Sequence, residues 1–229
     1  MTIQLYDLVG CDDLRFSPNC WRTRLALAHK GLACEAVATP FTAIPAIEGG
    51  RVKTVPAIRD GDVLVVDSWA IAEHLEAAYP DRPSLFGDAG GRALARFAQA
   101  WVQTAINPLL FRRIVADIHA RLLPEDQDYF RRSREQRLGM TLEAAHALAA
   151  DQVPKIQAAL EPLRQTLAAQ PFLSGAAPLY ADYVVFGSLL WARLTSPRRL
   201  LADGDPVAAW VDRCLDMFDG LARRMPAAA

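Results

Sequence analysis

Lysine is scarce in this chain: Lys30, Lys53 and Lys155 are the only three among 25 basic residues. Basic and acidic residues nearly cancel, for a formal net charge of −1, so the basic excess of a nucleic-acid binder is missing. The densest basic run, Arg131-Arg132-Ser133-Arg134, lies among Glu125, Asp126, Asp128 and Glu135 and reads as a solvated helix face. Cysteine is sparse too. Cys11, Cys20, Cys34 and Cys214 show neither CxxC nor zinc-like spacing, which excludes a disulfide framework and predicts reduced thiols in a cytoplasmic protein. The four histidines, His29, His74, His119 and His146, form no i,i+4 pair and no HExxH, so no metal is expected. No apolar run approaches the roughly 20 residues that span a bilayer. Residues 1–7 alternate like a strand and lack the plan of a signal peptide. What the 229 residues do have is a 52% hydrophobic share against 22% charged, enough for a sizeable core.

Residues 1–83 alternate between strand and helix patterns. Ile3 and Leu5 mark a first strand, and Ser17 to Lys30 a helix stopped by Gly31. Cys34 to Ala38 is a short strand, followed by an irregular stretch, Thr39 to Lys53, with Pro40, Pro45 and Gly49-Gly50. Val55 to Arg59 and Val63 to Val66 form a hairpin through Asp60-Gly61. Ser68 to Ala78 is a second helix. "PDRPSLFGDAGG", residues 80–91, has the turn residues of a linker. Beyond it Arg92 to Leu123, Thr141 to Leu167, Tyr180 to Leu194 and Asp205 to Arg224 read as helices. Pro108 and Pro154 are expected to bend or interrupt the first two. The predicted organisation is an α/β unit at 1–83 and an all-α unit at 92–229.

Three short stretches carry chemistry. In "FSPNCW", Ser17-Pro18 fits a helix N-cap followed by proline at the first helical position. Capping alone explains it. The same helix end, however, offers unpaired N–H groups and partial positive charge, which favour a thiolate over a thiol, and a serine hydroxyl there can donate to that thiolate. Cys20, three residues on, lacks a second cysteine at the cap and is expected to be buried and inert. Val55-Pro56 opens a strand, where proline costs no ladder bond. Cis accounts for only about 5% of X–Pro bonds in folded proteins, but a cis bond here would leave the Val55 backbone free to pair with an extended peptide. Asp67-Ser68 opens the helix "WAIAEHLEAAY". It reads either as a cap or as an amino-acid receptor, with Asp67 meeting an α-ammonium and Ser68 an α-carboxylate.

In that order these elements resemble the cytosolic glutathione transferases, over essentially the whole chain. Within them, "SPNCWRTRLALAHKGL", "VVDSWAIAEHLEAAYPDRPSLFG" and "LYADYVVFGSLLWA" are similar to the bacterial lignin β-etherases and the related fungal etherase-like class. The resemblance implies a thioredoxin-like glutathione-binding domain, a helical domain that completes the substrate site, glutathione as co-substrate, and a homodimer. It makes Ser17 the residue that hydrogen-bonds the glutathione sulfur. It gives the Val55 backbone to the cysteinyl part beside a cis Pro56, and Asp67 and Ser68 to the γ-glutamyl end. Lys53 is assigned to the glycyl carboxylate, and Asn19 to the sulfur or the co-substrate. One departure stands out: the hydroxyl residue usual three positions before Asp182 is Leu179 here.

The implied activity is attack of the glutathione thiolate on an apolar or aromatic electrophile, with β-aryl ether cleavage as the etherase-like form. Trp101, Ile106, Phe111 and Arg112, on the first long helix of the second unit, are the candidate pocket residues. Plain core is the commoner fate of such positions. Two other readings stay open: a non-catalytic module that binds ligands or proteins, and thiol-disulfide exchange through Cys20.

Overall fold

The computed structural model describes residues 2–228. The sequence alternation around Ile3 and Leu5 becomes strand β1 (Ile3–Leu8), with both side chains fully buried. It pairs parallel with β2 (Cys34–Thr39) and antiparallel with β3 (Ala57–Asp60), which turns back into β4 (Val63–Val66). The four-stranded order is β2-β1-β3-β4, so β1, the strand that leads to the "FSPNCW" loop, is interior to the sheet. Helix α1 (Pro18–His29) fills the β1–β2 crossover and ends at Gly31, whose φ of +63° suits glycine. Helix α2 (Ser68–Ala78) follows β4. This mixed sheet with its helices is a thioredoxin-like unit.

The rest is helical. The predicted helix from Arg92 to Leu123 is in fact α3 (Ala89–Trp101), a π turn (Val102–Ile106) and α4 (Asn107–Ala120). Pro108 has no N–H for the ordinary ladder, and the Asn107 N–H reaches back five residues to the Val102 carbonyl. Helix α5 (Pro124–Leu138) comes next, then α6 (Leu142–Ala147), α7 (Gln152–Ala159) and α8 (Glu161–Ala169), where a single helix from Thr141 to Leu167 was expected. Helix α9 (Tyr180–Thr195) is buried on nearly every side, and α10 (Pro206–Gly220) carries a break at Met217 to Asp219. No helix among the described residues is long and apolar enough to cross a membrane.

The missing hydroxyl before Asp182 is replaced by backbone and by the acid itself. The Asp182 N–H turns to the Leu179 carbonyl at 2.9 Å. Its carboxylate accepts from the Leu179 N–H at 3.2 Å, the Leu173 N–H at 2.7 Å, the Ser174 N–H at 3.1 Å and the Trp210 indole at 3.1 Å. Burial pushes the Asp182 carboxyl up, against the pull of these donors.

Candidate functional site

Ser17 caps α1. Its Oγ accepts from the Cys20 N–H at 3.3 Å, which leaves the hydroxyl hydrogen free to donate. Pro18 has no N–H, and the Asn19 N–H has no acceptor among the described residues. The end of α1 therefore presents one hydroxyl and one amide, backed by the helix dipole. The preceding loop is braced from behind: the Trp21 indole donates to the Arg15 carbonyl at 2.6 Å, and Arg15 and Arg24 meet the buried Asp7. Cys20 is wholly inaccessible and burial pushes its thiol up, so it is no thiolate and thiol-disulfide exchange through it is disfavoured.

Ser17 and Asn19 line a cavity of about 400 Å³ between the sheet unit and the helices, the size of a small-molecule site. Val55 lies on the same wall. Its peptide bond to Pro56 is cis, and its N–H has no partner among the described residues. Phe16, Phe41 and Ile44 extend this side. Opposite stand Gln103, Asn107 and Phe111 from the π turn and α4, Phe130, Arg134 and Arg137 from α5, and Trp191 from α9.

Asp67 and Ser68 stand apart from this cavity, at the start of α2. Asp67, not Ser68, is the cap: its Oδ1 accepts from the Trp69 and Ala70 N–H groups at 2.9 and 3.2 Å. Its φ of +85° is a conformation that few non-glycine residues adopt. The Ser68 N–H has no acceptor among the described residues, and its carbonyl takes the Tyr180 hydroxyl at 2.7 Å. Arg22, buried in α1, is close enough to Asp67 and Tyr180 to feel both. Burial lowers its pKa while they act the other way, and its Nε and Nη2 find no partner. No motif marked Arg22 as part of the site, because an arginine one turn into a helix normally reaches solvent.

The remaining candidates scatter. Lys53 is exposed and Pro56 buried, and neither lines the cavity. Of the four pocket candidates Phe111 alone lines it. Arg112 projects about 100° away on the same helix, into an outer cleft with Met140, Leu148 and Lys155. Trp101 lies beyond the π turn in a separate cavity with Leu94, Phe97 and Leu173, and Ile106 is buried core. Arg134, read from its sequence neighbours as part of a solvated face, instead turns inward. Its guanidinium lies 4.8 Å from the Phe130 ring centre and 5.4 Å from that of Phe41. Charge counting along the chain could not reveal this, because it takes no account of Phe130 one turn earlier on the same helix, and Phe41 comes from a distant segment. Among the described residues no group of three or more His, Cys, Asp or Glu is placed to hold a metal.

A thioredoxin-like unit opening onto an all-helical one through a shared cavity is the architecture of the glutathione transferases. Residues 13–83 match the description "Glutathione S-transferase, N-terminal domain" and residues 93–217 "Glutathione S-transferase, C-terminal domain". The chain belongs to the glutathione S-transferase family. It is similar to glutathione S-transferase Z1 of Arabidopsis thaliana, 37% identical over 92 residues, which are 38% of this chain and 42% of that one. The chain thus spans about half the length of the curated relatives it matches. In structure it is similar to glutathione transferase GSTFuA3 from Phanerochaete chrysosporium, with 26% identity, 96% and 97% coverage and a TM-score of 0.84. It is also similar to the glutathione S-transferase CsGST63524 of Ceriporiopsis subvermispora, solved in complex with glutathione, with 25% identity, 96% and 97% coverage and a TM-score of 0.79. All three are named as glutathione transferases and none as an etherase.

Proposed function

We propose that the chain binds glutathione along Ser17, Val55 and Asp67-Ser68 and transfers its thiolate to an apolar or aromatic electrophile in the cavity. The observation that carries this reading is the convergence of three unused donors, the Ser17 hydroxyl, the Asn19 N–H and the Val55 N–H, on one side of the first unit. The hydroxyl and the Asn19 amide suit a thiolate, and the Val55 backbone suits the cysteinyl peptide group. The exposed Asp67 carboxylate and the free Ser68 N–H suit the ammonium and carboxylate of the γ-glutamyl end. Lys53 is assigned to the glycyl end on the family resemblance alone.

The etherase-like form of the reaction is the finer proposal. The thiolate attacks a carbon that bears an aryl ether beside a carbonyl, a C–S bond forms, and the C–O bond breaks to release a phenolate. A homodimer in the cytoplasm is the assembly and compartment that go with this reading.

The test begins with glutathione binding by calorimetry and the ultraviolet titration of the bound thiol. Ser17→Ala is expected to raise the apparent pKa of bound glutathione by about one unit or more, since each unit is worth about 1.4 kcal/mol of preference for the anion. An unchanged pKa removes Ser17 from the mechanism. Glutathione binding with no turnover of aryl-ether ketones or aryl halides would favour the non-catalytic module instead.

A further inference from the structure

We propose that the electrophile taken by this cavity carries a carboxylate, held by Arg134 and Arg137 of α5 while an aromatic or unsaturated body lies against Phe111 and Trp191. This rests on the glutathione-transferase reading and names its substrate class. Among the described residues Arg134 and Arg137 are the charged side chains of the cavity wall, and no Asp or Glu lines it. Neither arginine forms an ion pair among the described residues. Arg134 donates to the Ser133 hydroxyl at 3.0 Å, and Arg137 has no hydrogen-bond partner among the described residues.

The two residues are three apart on one helix, so they share a face. Arg134 lies over Phe41 and Phe130, and Arg137 has its guanidinium 5.2 Å from the Phe111 ring centre. Stacking uses the flat faces of a guanidinium and leaves its N–H edges free, in the fork that matches a carboxylate. Burial works against the charge on Arg134, Tyr129 partly offsets this, and neighbouring Arg137 adds to it. Two cations placed together beside an aromatic wall are relieved by an anion. Phe111 and Trp191 stack with ring centres 6.1 Å apart and planes 18° apart, a flat surface for the body of the substrate. Trp191 also keeps a buried indole N–H without an acceptor, the kind of donor that a polar substituent satisfies.

The rival occupant is the glycyl carboxylate of glutathione itself, and the test separates the two. The probes are 4-chloro-3,5-dinitrobenzoate and its methyl ester, which share the reacting carbon. The thiolate adds there, a C–S bond forms, and chloride leaves. With each rate divided by the uncatalysed rate with glutathione, kcat/KM is expected to favour the acid by about tenfold or more, as for a charge-assisted hydrogen bond. In the double variant Arg134→Gln/Arg137→Gln this ratio should fall towards one. A wild-type ratio of one or less overturns the proposal. So does a variant that keeps the ratio but binds glutathione more weakly, which would give the arginines to the glycyl end.

If the double variant does not fold, wild-type protein decides. Unreactive 3,5-dinitrobenzoate, titrated by calorimetry without glutathione, should bind about tenfold more tightly than its methyl ester, and equal affinity refutes the carboxylate site. Glutathione binding is measured separately, so a protein that takes the dinitrobenzoate but no glutathione would sink the transferase reading and leave the anion site standing.

Discussion

Lys30, one of only three lysines, is in the interior at 1% exposure. Its Nζ meets Glu76 Oε1 at 2.6 Å and the Tyr79 carbonyl at 3.2 Å. Glu76 also accepts from the Leu85 N–H and the Ser84 hydroxyl, each at 2.8 Å, so one carboxylate ties the end of α1 to α2 and to the segment leading into the helical unit. Burial opposes its ionisation, but the Leu85 amide, Lys30 and Ser84 outweigh burial and hold the carboxyl below its ordinary value of 4.5. A carboxyl whose folded pKa is depressed contributes stability above its unfolded value and loses it as pH falls through the folded one. Urea unfolding followed from pH 7 down to pH 3 should therefore show stability falling below about pH 4.5. Glu76→Gln should flatten that acid limb and cost about 3 kcal/mol at pH 7, because Lys30 is left buried without its counter-charge. Identical acid limbs in both proteins would show that Glu76 does not titrate with folding.

Helices α1 and α9 meet where Gly187 stands against the first turn of α1. A Cβ there would lie 2.7 Å from the Pro18 carbonyl oxygen and 3.4 Å from Cγ of Arg22. Pro18 follows Ser17, so this contact sets where the end of α1 sits. Gly187→Ala should cost about 1–3 kcal/mol by overpacking against backbone that cannot swing aside, and should weaken glutathione binding. Urea midpoints and calorimetric affinity check both, and a silent variant would mean that the helices can part without moving Ser17. At this scale much was legible in the chain. Ser17-Pro18, Asp205-Pro206 and the Asp67-Ser68 boundary lie where those helices begin, and proline also occupies the first turn of α4, α5, α7 and α8. Pro154, expected to bend or interrupt a helix, stands in the first turn of α7, just after the break that follows α6. The inward face of α5 was not legible. Phe130 is its fully buried aromatic, and the inward contacts of Arg134 are aromatic rings, which a polar sequence pattern conceals.

The cavity exists because two units separated in sequence are joined across it, and Asp126 is a principal join. This carboxylate reads in the chain as one more charge around a basic run, yet it is wholly buried at the start of α5. Its Oδ2 accepts from the Phe41 N–H at 2.8 Å. Its Oδ1 accepts from the Thr42 N–H at 2.8 Å and the Thr42 hydroxyl at 2.9 Å. The segment that begins there supplies Phe41 and Ile44 to one side of the cavity, and α5 supplies Phe130, Arg134 and Arg137 to the other. A second tie runs through Gly10, where a Cβ would lie 2.5 Å from the Arg121 carbonyl oxygen, and through Cys11, whose N–H donates to that same carbonyl at 2.9 Å. Asp126→Asn keeps the shape but sets its NH2 against either the Phe41 N–H or the Thr42 pair, donor facing donor in both amide orientations. The expected cost is about 2–3 kcal/mol, that of a lost charge-assisted hydrogen bond with a buried donor left unmet. Because the damage is at the seam, amide exchange should accelerate over residues 41–50 while β1 and α9 stay protected. KM for the electrophile should rise more than glutathione affinity falls, since Ser17 and Asp67 are each held by their own cap at the starts of α1 and α2. Uniform acceleration of exchange throughout the molecule would instead make Asp126 a general stability residue rather than the support of the cavity wall.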